Sequence, residues 1–141
     1  MSKPAIPLLV GNNTLLNQTG AAQRGAGYYT TSVNGGWHTV SADLTDFVGR
    51  IYIEATLSAQ PTENDWFPVQ LSGTQAYQQF PVDPAHLQGD GSNTHGDTVT
   101  VGWTFRGNFT FVRARVDRSY LFPVPTDLTT VGLARQILMS V

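Results

Sequence analysis

Glu63 and Asp65, with Glu54 upstream, are the acidic side chains whose spacing first suggests chemistry, because glycoside hydrolases place two carboxylates across the scissile bond. In Gln60-Pro61-Thr62-Glu63-Asn64-Asp65 the same residues are also good turn formers. Short Asp and Asn side chains bond their own backbone, and that is the role expected of them. Asp90-Gly91-Ser92-Asn93-Thr94-His95-Gly96-Asp97 supplies oxygen donors suited to calcium, but its spacing departs from the EF-hand loop and no glutamate closes it. A glycine-rich loop is the expectation there. His86 and His95 lie in the same stretch and His38 follows Trp37; no two share the i, i+4 spacing of helical zinc ligands, so all three are expected as solvated loop side chains.

Other chemistry is excluded by what the chain lacks. With no cysteine there is no disulfide, thiolate zinc site or cysteine nucleophile. Lys3 is the only lysine, which removes lysine-dependent phosphate loops and Schiff bases from the folded body. Neither a Gly-x-Ser-x-Gly elbow nor a glycine-rich phosphate cradle is present. No cofactor or metal is implied, and the expectation is a protein that is not an enzyme. Eight Lys plus Arg against ten Asp plus Glu give a net charge of -2, the wrong sign for gripping a nucleic-acid backbone. The short apolar run Ile6 to Val10 is no signal-peptide core, and no stretch is long enough to span a bilayer. A soluble chain made in the cytoplasm, with neither nucleic acid nor membrane as partner, is expected.

The 141 residues suit one domain. Only 13% are charged, against about 25% in an average globular chain, and Thr, Asn, Gln and Ser with 14 Gly and 8 Pro take their place. That mixture suits short strands and many turns. From Val48 to Leu57, Ile51, Ile53, Ala55 and Leu57 alternate with Arg50, Tyr52, Glu54 and Thr56. Val99, Val101, Trp103 and Phe105 share one face of a second strand; Arg106-Gly107-Asn108 then turns into Phe109 to Asp117, and the two runs read as a hairpin. Weaker strands are expected at Ile6 to Val10, Tyr28 to Val33, Trp37 to Val40, Trp66 to Leu71 and Ala134 to Val141, with a hairpin turn at Asn34-Gly35-Gly36. Ser41 to Val48 and Pro84 to Gln88 have some helical flavour. These elements predict an all-β antiparallel sandwich, jelly-roll-like, of about eight strands. Residues 1–26 read as an extended N-terminal arm and 27–141 as the sandwich domain, with a long polar insertion loop over 72–97 that is the first place to look for a contact surface.

Arg113 and Arg115 share a strand face with Phe109 and Phe111, opposite Glu54 and Arg50 on another strand, which favours a cross-strand Arg–Glu pair. Arg and aromatics are enriched at interfaces, so these four are candidate contact residues, with His86 and His95 of the insertion. Trp37, Tyr77 and Trp103 are candidates for stacking on sugar rings. Trp66 and Phe67 are expected to close one end of the core.

Two resemblances follow. Ile51-Tyr52-Ile53-Glu54-Ala55-Thr56-Leu57, a polar turn, Asp65-Trp66-Phe67-Pro68-Val69 and then Phe111-Val112-Arg113-Ala114-Arg115-Val116 resemble the discoidin, or galactose-binding-like, β-sandwich over Val48 to Val141. The insertion after Leu71 departs from that pattern. Pro61-Thr62-Glu63-Asn64-Asp65-Trp66-Phe67 and Gly107-Asn108-Phe109-Thr110-Phe111-Val112-Arg113-Ala114 resemble small virion structural proteins of tailed bacteriophages. That likeness implies a sandwich decorating a head, neck, tail or baseplate, often as an oligomer. Its expected partners are other virion proteins and the chain itself, its location is the virion, and a host-surface glycan is the alternative ligand.

Overall fold

The structure is a computed structural model that describes residues 5–11, 15–29, 34–71, 75–82, 96–121, 124–125 and 131–141. Ten strand segments follow in order: β1 (Ile6–Val10), β2 (Asn17–Thr19), β3 (Gln23–Arg24), β4 (Trp37–Phe47), β5 (Gly49–Thr56), β6 (Phe67–Pro68), β7 (Gln78–Phe80), β8 (Asp97–Arg106), β9 (Phe111–Asp117) and β10 (Leu133–Ser140). No α-helix occurs among the described residues. One antiparallel sheet runs β1-β10-β4-β8 and the other β2-β9-β5-β6, with β3 also on β9 and β7 also on β5. β2 and β3 are two pieces of one interrupted strand along β9, and β6 and β7 are two pieces of another along β5. The ten segments therefore fill eight strand positions. In chain order these positions run 1-8-3-6 in one sheet and 2-7-4-5 in the other, the winding of a jelly roll.

Alternation builds the core. Val40, Ala42 and Leu44 of β4 and Ala134, Ile137 and Met139 of β10 are buried from one sheet. From the other come Ile51, Ile53 and Ala55 of β5 and Val112, Ala114 and Val116 of β9. Each large aliphatic side chain removed from water in this way contributes about 1.5–3 kcal/mol. Arg118, just past β9, is also fully buried. It donates to the carbonyl oxygens of Val48 (3.0 Å), Leu15 (3.2 Å), Val131 (3.4 Å) and Gly132 (2.9 Å), tying the entry of β5 to the approaches of β2 and β10. Burial pulls its pKa down to about 10.

Several expectations are corrected. Residues 1–26 are no arm in their described part: β1 pairs with β10, β2 and β3 pair with β9, and Leu8 and Leu9 are both buried. A register break between Pro7 and Leu9 turns two consecutive leucines inward, which erases the period-two pattern that marks a strand. The hairpin of β8 and β9 does not form, because β8 pairs with β4 and β9 with β5. Both runs have an apolar face, and alternation alone does not distinguish strands that pair from strands that face each other across a core. The link crosses between the sheets: Gly107 N–H donates to Gly36 O (2.9 Å) and Thr110 N–H to Thr56 O (2.8 Å). A Cβ on Gly107 would lie 2.4 Å from the Phe109 ring, so a larger residue at that tight crossing would have to displace the ring.

Ser41 to Val48 is not helical. It continues β4, with Asp43 directed outward to Arg135 (3.7 Å). Tyr28 ends a 3-10 turn (Ala26–Tyr28), and Asn34–Gly36 forms another with positive φ at all three residues. Of Trp66 to Leu71, only Phe67–Pro68 is strand. Part of the 72–97 insertion belongs to the fold, since β7 pairs with β5 and Phe80 packs edge-on against Phe47 (5.8 Å). His86, His95, Pro84 to Gln88 and most of the calcium-like stretch lie outside the described residues.

Candidate contact face

The pairing of β5 with β9 sets Thr56 against Phe111, Glu54 against Arg113, Tyr52 against Arg115 and Arg50 against Asp117. Their neighbours Ile51, Ile53, Ala55, Val112, Ala114 and Val116 point into the core, so all eight lie on the outer face of the sheet. Glu54 joins two arginines. Its Oε1 accepts from Arg113 Nε (2.8 Å) and its Oε2 from Arg115 Nε (3.3 Å), the cross-strand pair expected from the sequence. The outer end of Arg113 reaches Glu63, with Nη1 3.3 Å and Nη2 3.2 Å from the two carboxylate oxygens.

Each arginine also lies over a ring. Arg113 Cζ is 4.2 Å from the Trp66 ring centre and Arg115 Cζ is 3.9 Å from Tyr52. Arg50 stands 4.4 Å from Tyr77 and 3.9 Å from Tyr120, and Arg24 of β3 is 4.4 Å from Tyr28. Tyr28 meets Phe111 (5.7 Å) and Tyr52 meets Tyr77 (5.4 Å), so the rings run across the sheet. A stack of this kind is worth about 0.5–1 kcal/mol at an exposed site, and its larger effect is to hold a long side chain in one place. Four of the chain's eight basic residues, Arg24, Arg50, Arg113 and Arg115, lie on this face, against the acids Glu54, Glu63 and Asp117.

The turn before β6 positions two of these partners. Asp65 Oδ2 accepts from Thr62 N (2.7 Å) and Thr62 Oγ1 (3.1 Å), closing a capping box around the 3-10 turn Glu63–Asp65. Asp65 is thus the turn former expected from its sequence. The turn brings Glu63 and Trp66 back over β9. Arg113 bonds and attracts the Glu63 carboxyl and holds it below its ordinary range, the reverse of the shift a general acid needs. Burial alone would lower the Arg113 pKa, but hydrogen bonds and charge from Glu63 and Glu54 outweigh it and raise the value.

The sequence candidates separate in space. Tyr77, Phe111, Arg113 and Arg115 belong to this face. Trp37 opens β4 on the other sheet, 43% exposed, with Arg106 Cζ 5.8 Å from its ring. Phe109 packs beside the core against Phe67 (5.8 Å), Phe105 (6.0 Å) and His38 (5.5 Å), and Trp103 is partly buried against the core from β8. Trp66 is corrected from core to outer face, under Arg113, and Phe67, 39% exposed, lies outside the buried core and meets Phe109 at its margin (5.8 Å). His38 is corrected from a solvated side chain to a buried one: Nε2 accepts from Ala26 N (3.0 Å), and Nδ1 lies 3.0 Å from Gly36 O.

Tyr28, Tyr52, Trp66, Tyr120, Arg24 and Glu63 join the face without having been singled out for it. Of these, Tyr52 carried a usable signal, since the alternation of β5 sets it beside Arg50 and Glu54 on the polar face. An open cleft of about 380 Å³ runs along β1, lined by Pro7, Leu9, Gln18 and Gln23 among others, and none of its described lining residues is ionisable. Among the described residues no three His, Asp or Glu side chains gather as a metal would need, and no helix is long and apolar enough to cross a membrane. Compared with protein-family models, curated proteins and solved structures, the chain gives no match.

Proposed function

We propose that this chain is a non-enzymatic virion structural protein of a tailed phage, acting through protein–protein contacts with other virion proteins and with itself. The observation that carries the reading is the outer face of the β5–β9 sheet. Arginine, tryptophan and tyrosine dominate binding hot spots, and here they occupy one continuous surface. The four guanidinium groups are already laid on rings, and those of Arg113 and Arg115 are bonded to carboxylates, so a partner that meets them orders fewer side chains on binding. Half of the basic residues of a chain of net charge -2 stand there, which favours an acidic patch on the partner. The jelly-roll sandwich agrees with the fold that the resemblance to phage virion proteins implies.

The test is immunogold electron microscopy of purified phage particles from the source, using an antibody to this chain. Label at one fixed place on the particle supports the reading. Particles left unlabelled in both native and denatured states overturn it.

A second reading, a carbohydrate-binding module, draws on one end of the sandwich. Tyr28, Tyr29 and Trp37 are each 42–43% exposed there, beside the 3-10 turns that flank the chain crossing. Micromolar binding to a glycan that Trp37→Ala abolishes would favour this module.

A further inference from the structure

Sheet edges are where a β protein lies open to another chain, and the edges of this sandwich are unequal. β1 has five residues, contains Pro7 and breaks register beside it. The edges of the second sheet are short pieces: β2 and β3 have three and two residues, and β6 and β7 have two and three. Short strands, prolines and bulges are what keep an edge from pairing. β8 is long and free of proline, and its register with β4 shifts only at its start, between Val99 and Asp97. It runs for ten residues without Pro or Lys, and its only charged residues, Asp97 and Arg106, stand at its two ends. One side of β8 pairs with β4, and among the described residues no strand pairs with the other.

Gly102, at the middle of β8, adds an independent observation. A glycine inside a strand costs about 0.5–1 kcal/mol relative to alanine, and it often marks a bulge or the close approach of another backbone. Here the register with β4 is unbroken from Arg106 to Val99, so there is no bulge. A Cβ on Gly102 would meet only Val40 O among the described residues, at 3.5 Å, an ordinary contact. The fold of the single chain does not require glycine at this position.

We propose that β8 is the seam of a two-fold homodimer, in which β8 lies antiparallel to β8 of a second copy with the axis through Gly102. About that axis Val101 meets Trp103 and Val99 meets Phe105 on the core side, and Thr100 meets Thr104 on the outer side. These are β-branched–aromatic and Thr–Thr pairs, both favourable across strands. Val99 is 42% exposed in the single chain, and Val101 and Trp103 are only partly buried, so the seam covers apolar surface left open. Gly102 meets Gly102 at the axis, on the outer side, where neither copy carries a side chain. The two four-stranded sheets become one of eight strands through a self-complementary contact. This inference deepens the self-association in the reading above and is independent of the arginine face and of any place on a particle.

The absence of cysteine allows a direct test of register. Residues directly opposite in an antiparallel pair have Cα atoms about 4.5–5.5 Å apart, within the range of about 4.4–6.8 Å that a disulfide spans. Under mild oxidation Gly102→Cys should form a covalent dimer with itself. Thr100→Cys alone should not, but should cross-link when mixed with Thr104→Cys. Sedimentation velocity of the unmodified chain at micromolar concentration should give twice the monomer mass, and Val99→Lys should return the monomer mass with an unchanged circular dichroism spectrum. A monomer mass for the unmodified chain, or equal self-cross-linking of Gly102→Cys and Thr100→Cys, would overturn the seam. Should Val99→Lys fail to fold, the cysteine variants decide alone. Neither outcome depends on labelling of a phage particle, so the seam and the virion reading fail separately.

Discussion

Arg113 and Arg118 lie on one short stretch of chain and are held in opposite ways. Arg118 is buried and gives its N–H groups to the carbonyl oxygens of Leu15, Val48, Val131 and Gly132. Arg113 lies on the outer face, and its partners Glu54, Glu63 and Trp66 are all side chains. His38 is held in the manner of Arg118: Nε2 accepts from the Ala26 amide, so Nδ1 carries the proton and donates to Gly36 O. The difference separates architecture from contact surface. A side chain bonded to backbone cannot exchange its partners without opening the sandwich. One bonded to side chains can exchange a carboxylate or a ring for that of another protein, at the cost of a rotamer change.

Breaking the interior anchor should have the largest effect. Arg118→Met leaves the carbonyls of Leu15, Val48 and Gly132 without this donor in a buried to part-buried site, at an expected cost of about 3–5 kcal/mol. Urea denaturation measures it, and a loss below about 1 kcal/mol would erase the distinction between the two arginines. On the outer face Glu54→Gln removes the carboxylate that Arg113 and Arg115 share. Arg113 keeps Glu63 and Trp66, and Arg115 keeps Tyr52, so about 2 kcal/mol is expected. A loss as large as that of Arg118→Met would move Glu54 into the architecture.

The sequence disclosed the outer face better than the interior anchors. The alternation in β5 and β9 assigned Glu54, Arg113 and Arg115 to the solvent side, and two central strands with opposite charges on that side leave few other registers. Arg118 and His38 gave no such signal, because their partners are backbone groups, which every residue has. Residues 1–26 were misread for a related reason. The β1 register break hides its alternation, and β2 and β3 are polar pieces joined to β9 through main-chain bonds. The jelly-roll-like sandwich of about eight strands was legible, but which neighbours pair and which face each other depends on crossings such as that at Gly107, where the chain comes close to a ring. Trp66 was misplaced because its direction depends on the capping box at Thr62 and Asp65, and the strand pattern does not extend into that turn.

A smaller effect, and one with a sign, comes from His38. Burial lowers its pKa from the ordinary 6.5, against hydrogen bonds with the backbone of Gly36 and Phe105 that raise it. In the window between the lowered value and 6.5 the unfolded chain binds more protons than the folded one, so stability rises with pH there and is level for this group above 6.5. Melting temperature should therefore fall as the pH drops below that value, and His38→Gln should flatten the slope in the window. Glu63 contributes no slope there, because Arg113 lowers its carboxyl from an ordinary value of 4.5 and it titrates further toward acid. An unchanged slope in His38→Gln would mean that the imidazole is not the neutral acceptor of the Ala26 N–H.

Tyr120 stands where the two regions meet, and its two parts should respond with opposite signs. Its ring lies 3.9 Å beneath Arg50, as part of the outer face. Its hydroxyl is buried without a hydrogen-bond partner among the described residues, and burial pushes the phenol up to about 12 although Arg50 pulls it down. A desolvated hydroxyl without a partner carries a penalty, so Tyr120→Phe, which keeps the ring and removes the oxygen, should leave stability unchanged or raise it by up to ~1 kcal/mol. Tyr120→Leu removes the ring under the cation as well and should lower stability by about 0.5–1 kcal/mol relative to Tyr120→Phe. Thermal denaturation of the two variants separates the contributions. If Tyr120→Phe is instead the more damaging change, the hydroxyl is bonded in solution, and the boundary between exchangeable face and fixed interior runs through Arg50 rather than beneath it.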